Sequence, residues 1–185
     1  MKKEIPLSQA HRLINNGPVV LVTSQSKTGR SNVLAIAWAT PVSQVPPLVA
    51  VSIAKGHYSH LLVSESREFV VNVPSPSMAD KVMVCGRFSG RDVDKFEKAG
   101  LTPMQASVVR PPLVEECIGH LECRVERTVE AGDHSLFIGR VEKAWAEDGL
   151  FDEVWRCSEE DCGGLHHLGG NVFSISEKKV VVEDD

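Results

Sequence analysis

A chain of 185 residues with 42% hydrophobic and 24% charged side chains has the composition of one globular domain with a sizeable core, not of a disordered polymer. Its 20 basic and 25 acidic side chains give a net charge of −5 with no basic block, which argues against nucleic acid as a main partner. The five cysteines do not form a disulfide framework, and the N-terminal stretch has neither a signal core nor an apolar run of membrane-spanning length, so the expectation is a cytoplasmic protein with reduced thiols and no membrane partner.

In chain order, residues 7–16 predict a short helix: Ser8 as cap, Ala10, Leu13 and Ile14 on one face, Gly17 and Pro18 as the stop. Short runs rich in Val and Ile, bounded by Gly, Pro or Ser, predict strands over 18–25, 31–40, 47–54 and 67–74. Residues 57–66 predict a turn or two of helix. Residues 77–86 predict another, with Ser77 as cap, Asp80 in a capping-box position and Gly86 as stop; 92–100 predict a third, ending at Gly100. In 120–132, Leu121, Cys123 and Val125 are expected to face one way and Glu122, Arg124 and Glu126 the other. With 134–147 that strand makes a long hairpin turning at Gly132. Helices do not alternate regularly with strands, so the pattern predicts a mainly β domain: an antiparallel barrel closed on itself with peripheral helices. Strands apolar on both faces need helices or a partner subunit outside.

Several polar stretches carry possible chemistry. In "CGRFSGRDVDKFEKAG", Ser89, Gly90, Arg91 and Lys95 can meet an anion, while Asp92 and Asp94 equally satisfy an ordinary helix start. "AIAWATPVS" combines small Ala37 and Ala39 with the flat Trp38, and Pro41 is expected to bend the chain out of its strand; the plainer reading is a buried strand with a core tryptophan. His57, Tyr58 and Ser59 make a polar loop, or a helix start capped by Ser59. Asn72, in an apolar strand, needs a partner, either a ligand hydroxyl or neighbouring backbone. Asp133 and His134 occupy the hairpin turn. Cys157, Cys162, His166 and His167 have poor spacing for zinc, and no metal is expected.

"GRSNVLAIAWATPVSQVPPLVAVSIAKGHYSHLLVSESREFVVNVP", then "CGRFSGRDVDKFEKAGLTP" and "EECIGHLECRVERTVEAGDHSLFIGRV", resemble flavin reductase-like and flavoredoxin-like proteins of the FMN-binding split-barrel superfamily over residues 15–146, with an echo in "LHHLGGNVF". The resemblance implies one domain spanning 1–185, a six-stranded antiparallel split β-barrel and a homodimer with FMN near the subunit interface. It implies flavin contacts from Asn32, Ala37, Trp38, Ala39, Thr40, Pro41 and Val42, from His57, Tyr58, Ser59, Asn72 and Cys85, and from Ser89, Gly90, Arg91, Lys95 and His167. His134 is placed beside a nicotinamide site as the catalytic candidate. The implied activity is NAD(P)H-dependent flavin reduction, with hydride passing to FMN N5 and electrons to free flavin or another acceptor. The alternative is a flavoredoxin-type carrier between redox protein partners, without its own nicotinamide site.

Overall fold

The computed structural model describes residues 4, 6–14, 17–156 and 164–175. Its centre is a seven-stranded antiparallel sheet of β1 (Val20–Gln25), β2 (Ser31–Ile36), β3 (Ala39–Ser43), β4 (Leu48–Ala54), β5 (Glu68–Val73), β8 (Gly119–Ala131) and β9 (His134–Ala146), in the order β2-β1-β5-β8-β9-β4-β3. Smaller ladders pair β6 (Pro103–Met104) with β7 (Leu113–Val114), β10 (Phe151–Asp152) with β11 (Val154–Trp155), and β12 (Leu165–Gly169) with β13 (Val172–Ile175).

The two edges of the sheet are consecutive in the chain. The predicted strand over 31–40 is two strands, for its first half pairs with β1 and its continuation with β4. The chain crosses from edge to edge through Ala37 and Trp38, and Ser52 N donates to Trp38 O at 2.9 Å. The curled sheet is therefore a split barrel, not the fully closed one that the strand pattern suggests. Pro41 does not eject the chain either: it lies inside β3, opposite Val49, on an edge strand that tolerates the missing N–H.

Period-two alternation explains the core. Val20, Val22, Leu34, Ile36, Val51, Ile53, Phe69, Val71, Cys123, Val125 and Phe137 point inward. The outer faces of β1 and β2 present Val19, Leu21 and Val33 to helices α2 (Ala79–Arg87) and α3 (Lys95–Ala99), through Val82, Cys85 and Phe96. Val70, on the outer face of β5, is covered by Ala106, Val109 and Leu113. The chain thus buries much of the two-faced apolar surface by itself. Cys85, Cys117 and Cys123 are buried free thiols.

Local expectations fare unevenly. Residues Leu7–Leu13 form a 3₁₀ segment with no buried side chain, in place of a helix packed on its apolar face; Pro6 precedes it and Ser8 makes no cap. Helix α2 starts after a 3₁₀ turn over Pro76–Met78, with Met78 and not Ser77 at its cap position, and it runs through Gly86 to Arg87. Ser59 lies inside α1 (Tyr58–Ser66), whose cap position is His57. Asp94 caps α3, its Oδ1 accepting from Phe96 N at 2.9 Å and Glu97 N at 3.2 Å, and Gly100 ends the helix at φ +61. The β8–β9 hairpin turns at Gly132, φ +60, the first loop position, where a type II′ turn calls for glycine.

Gly139 shows how tightly the barrel closes. A Cβ there would meet Phe69 Cζ at 2.5 Å and Cys123 Cβ at 3.1 Å, and both neighbours are fully buried. Gly139→Ala is expected to destabilise the fold by about 1–3 kcal/mol, the usual cost of overpacking. Urea denaturation checks this; an unchanged midpoint would show that the Phe69 ring can yield.

Candidate functional site

Strand β2 pairs only on its β1 side, so its other edge keeps backbone N–H and C=O groups without a strand partner. Two of the clefts along it adjoin one another. The first, about 170 Å³, is lined by Asn32 and Leu34 of β2, by Gly56 to Ser59, by Gly86 to Gly90, and by Lys95. The second, about 270 Å³, is lined by Leu34 to Trp38, Ser52, Ala54, His57, His134, His11 and His167. Leu34 and His57 belong to both and form the threshold between them.

The first cleft holds a buried cation. Lys95, the first residue of α3, is 4% exposed, and its Nζ donates to Cys85 O at 2.7 Å. Among the described residues it forms no ion pair. Burial pushes its pKa down to about 8, against a small opposing effect of Cys85. Burial first, then the charges of Lys95, His134 and Arg91, hold His57 below the usual imidazole range. The Asn32 Nδ2 donates to Ser59 Oγ at 2.7 Å, while Oδ1 is buried with no partner. Whichever way that amide is turned, one of its polar atoms lacks a protein partner. Gly90 has no alternative beside it, because a Cβ would overlap Asn32 Oδ1 and lie 2.7 Å from Cγ.

The second cleft is flat and aromatic. Trp38, 40% exposed, stands 4.9 Å from the His134 ring at an interplanar angle of 37° and 5.6 Å from His11, edge-on. Asp133 Oδ1 accepts from His134 Nδ1 at 2.7 Å, which fixes the ring orientation; that hydrogen bond and the neighbouring imidazole hold the Asp133 carboxyl below its usual range.

The structure thus gathers Asn32, His57, Tyr58, Ser59, Ser89, Gly90 and Lys95 at one cleft, and Ala37, Trp38, His134 and His167 at its neighbour. Arg91 stands at the rim, its Nη1 donating to Gly56 O at 2.9 Å. Within "CGRFSGRDVDKFEKAG", Asp94 caps the helix, and Lys95 beside it lines the cleft. Cys85 is buried beneath, its thiol pushed by burial up to about 11, and contributes the carbonyl that holds Lys95.

Other expected contacts lie elsewhere. Ala39, Thr40 and Pro41 line a separate apolar cavity of about 400 Å³ with Val49, Val71 and Leu121, because the chain has crossed to the opposite sheet edge by then. Val42 is exposed on β3 and lines neither cleft. Asn72 finds neighbouring backbone in place of a ligand: Nδ2 donates to Leu21 O at 2.9 Å, and Oδ1 accepts from Val114 N at 2.9 Å and pairs with His120 Nδ1. Cys157 and Cys162 fall outside the described residues; among those described, no cluster of three His, Cys, Asp or Glu is placed to hold a metal. The sequence reading missed Arg30 and Arg87. Arg87 lines the first cleft and donates to Asn171 Oδ1 at 2.8 Å. Arg30 precedes Asn32 by two positions, so strand alternation alone places it on the same face.

An open antiparallel barrel whose edge strand borders a cationic cleft and an aromatic one belongs to the split-barrel class. The family model "Flavin reductase like domain" matches residues 13–174, and the chain belongs to that family. It is 33% identical over 152 residues to a flavin reductase from Pseudomonas putida, covering 82% of this chain and 79% of that protein. Flavoredoxin from Methanosarcina acetivorans superposes with a TM-score of 0.85 at 27% identity, covering 98% of this chain and 95% of the other. The FMN-binding protein from Thermus thermophilus, solved with bound 1-cyclohex-2-enone, gives 0.83 at 27% identity, covering 98% of each. Among the described residues no helix is long and apolar enough to cross a membrane.

Proposed function

We propose that this flavin reductase-like chain is an FMN-dependent oxidoreductase of one domain, with the flavin phosphate in the Lys95 cleft and the ring in the Trp38 cleft. The observation that carries the reading is a buried lysine that has no carboxylate partner among the described residues, beside a buried amide atom that has no hydrogen-bond partner among them. A phosphate supplies the missing charge, and a ribityl hydroxyl supplies the missing hydrogen bond. Ser59, Ser89, Gly90 and Arg91 complete that end, and His57 spans the threshold. The unpaired edge of β2 offers backbone groups to the polar rim of the ring, while Ala37 keeps the approach close. His167 reaches the same cleft from β12.

FMN, when bound, supplies two-electron redox chemistry. The protein's own part is to hold the ring against Trp38 and His134, away from bulk water, with His134 oriented by Asp133. NAD(P)H is the proposed donor. Anaerobic stopped-flow mixing of the yellow protein with NADH and NADPH tests this: bleaching of the flavin band is expected with at least one of them. A colourless protein that takes up no FMN on dialysis overturns the cofactor reading. A yellow protein that neither nicotinamide bleaches favours the flavoredoxin-type carrier, the reading supported by the likeness to the Methanosarcina acetivorans protein.

His134→Ala is expected to slow reduction by NAD(P)H about tenfold, the order of one lost hydrogen bond to the donor, with a smaller effect on FMN affinity. Unchanged single-turnover reduction removes His134 from the mechanism. A homodimer is proposed on the family likeness and on exposed apolar side chains at Val42, Val45, Leu168 and Val172; light scattering at micromolar concentration checks it.

A further inference from the structure

We infer that Arg30 is a positioning residue for FMN: it holds the Gly90 carbonyl outside the cleft and so sets the loop that meets the phosphate. This inference rests on the phosphate reading above.

Arg30 closes the β1–β2 turn, where its N–H donates to Ser26 Oγ at 3.0 Å. Its Nη2 donates to Gly90 O at 2.7 Å, a bond of 60 residues' separation. Arg30 is not one of the residues that line the cleft, whereas Gly90 is. The guanidinium therefore acts on the site through the loop. A carbonyl oxygen turned toward a phosphate would repel it; one occupied by a guanidinium is kept away. Asn32, on the same face of the strand, fixes the other side of Gly90, because its amide fills the space a Cβ would need, and the same amide donates to Ser59. Arg30 in the turn before β2 and Asn32 within β2 thus register both walls of the cleft against the sheet edge. Tyr58 ties the arrangement together: the guanidinium carbons of Arg30 and Arg91 lie 5.7 Å and 5.5 Å from its ring centroid. The turn, the start of α1 and the 89–91 loop are joined at that ring.

The test is equilibrium dialysis of the full chain and its variants against FMN and against riboflavin, with melting temperatures recorded in parallel. Arg30→Met, which removes the donor, is expected to weaken FMN roughly tenfold and riboflavin less than about twofold, the size of one charge-assisted hydrogen bond lost from a loop. Arg30→Gln keeps a donor for Gly90 O without the charge, and is expected to restore most of the FMN preference. If Arg30→Gln is as weak as Arg30→Met, the residue acts by charge alone and the positioning role is overturned. It is overturned equally if Arg30→Met keeps the full FMN preference, or if both flavins weaken together with a falling melting temperature. A wild-type chain that binds FMN and riboflavin equally fails at the earlier step: the phosphate reading falls, and this inference with it.

Discussion

Lys95→Met is expected to weaken FMN binding roughly tenfold to a hundredfold and to leave riboflavin nearly unchanged. The substitution keeps an unbranched side chain in the buried site and removes only the ammonium. A charge-assisted hydrogen bond to phosphate is worth about 1.5–3 kcal/mol, which sets the range. Arg91→Ala is expected to cost less, since its guanidinium is at the rim and spends one donor on Gly56 O. The pH dependence has a definite sign. In the flavin-free fold the pKa of Lys95 is lowered from 10.5 to about 8. Between those values the unfolded chain binds the additional proton, so the buried charge destabilises the fold fully below pH 8, and stability is regained as pH rises through the folded value. Bound phosphate stabilises the charged form, so FMN affinity falls above about pH 8 while riboflavin affinity does not. Equal weakening of both flavins in Lys95→Met, or FMN affinity that is flat across that range, removes Lys95 from the phosphate site.

The β framework is legible in the sequence because apolar runs bounded by Gly and Pro have few other uses. The long hairpin announces itself through alternation and Gly132. What runs do not encode is pairing. Nothing in "SNVLAIAWAT" marks that its halves serve opposite sheet edges, since both are apolar and continuous; the division at Ala37 and Trp38 exists only once β1 and β4 are in place. The contacts that the resemblance implies at Ala39, Thr40 and Pro41 fall beyond that division, on the opposite sheet edge. The Lys95 cleft was readable as charge and glycine in one loop, but capping and anion binding share residue types; in the structure Asp94 satisfies the helix, and Lys95 is buried with no ion pair among the described residues. Arg30 and Asn72 mark the limit of a local reading. Their partners lie 60 and 42 residues away, at Gly90 and Val114.

Glu122 carries the largest stability effect. Alternation sets it on the face opposite Leu121 and Cys123, and there it is fully buried beneath residues 105–109. Among the described residues no cation pairs with it. Its carboxylate accepts instead from Ser107 N at 3.1 and 3.0 Å, from Val108 N at 2.7 Å and from Trp145 Nε1 at 2.9 Å. Burial works to raise its pKa; the hydrogen bonds from Trp145, Val108 and Ser107 outweigh that, and the carboxyl stays below its usual range. Such a group stabilises the fold above its unfolded value of 4.5 and loses that contribution as pH falls through the folded value. Glu122→Ala leaves three part-buried donors without their carboxylate and empties a buried site, so a loss on the order of 3 kcal/mol is expected. In a domain of this size that is a fall of roughly 6–12 °C in melting temperature. Glu122→Gln brings its own N–H groups toward the same donors and is expected to recover only part of the loss. Trp145→Phe, which removes one donor and its partner bond together, is expected to cost much less than Glu122→Ala, and the two combined less than their sum. Calorimetry across the wild type and these four variants decides it: a Glu122→Ala chain that melts within about 2 °C of the wild type would mean the 105–109 segment opens readily and lets water replace the carboxylate.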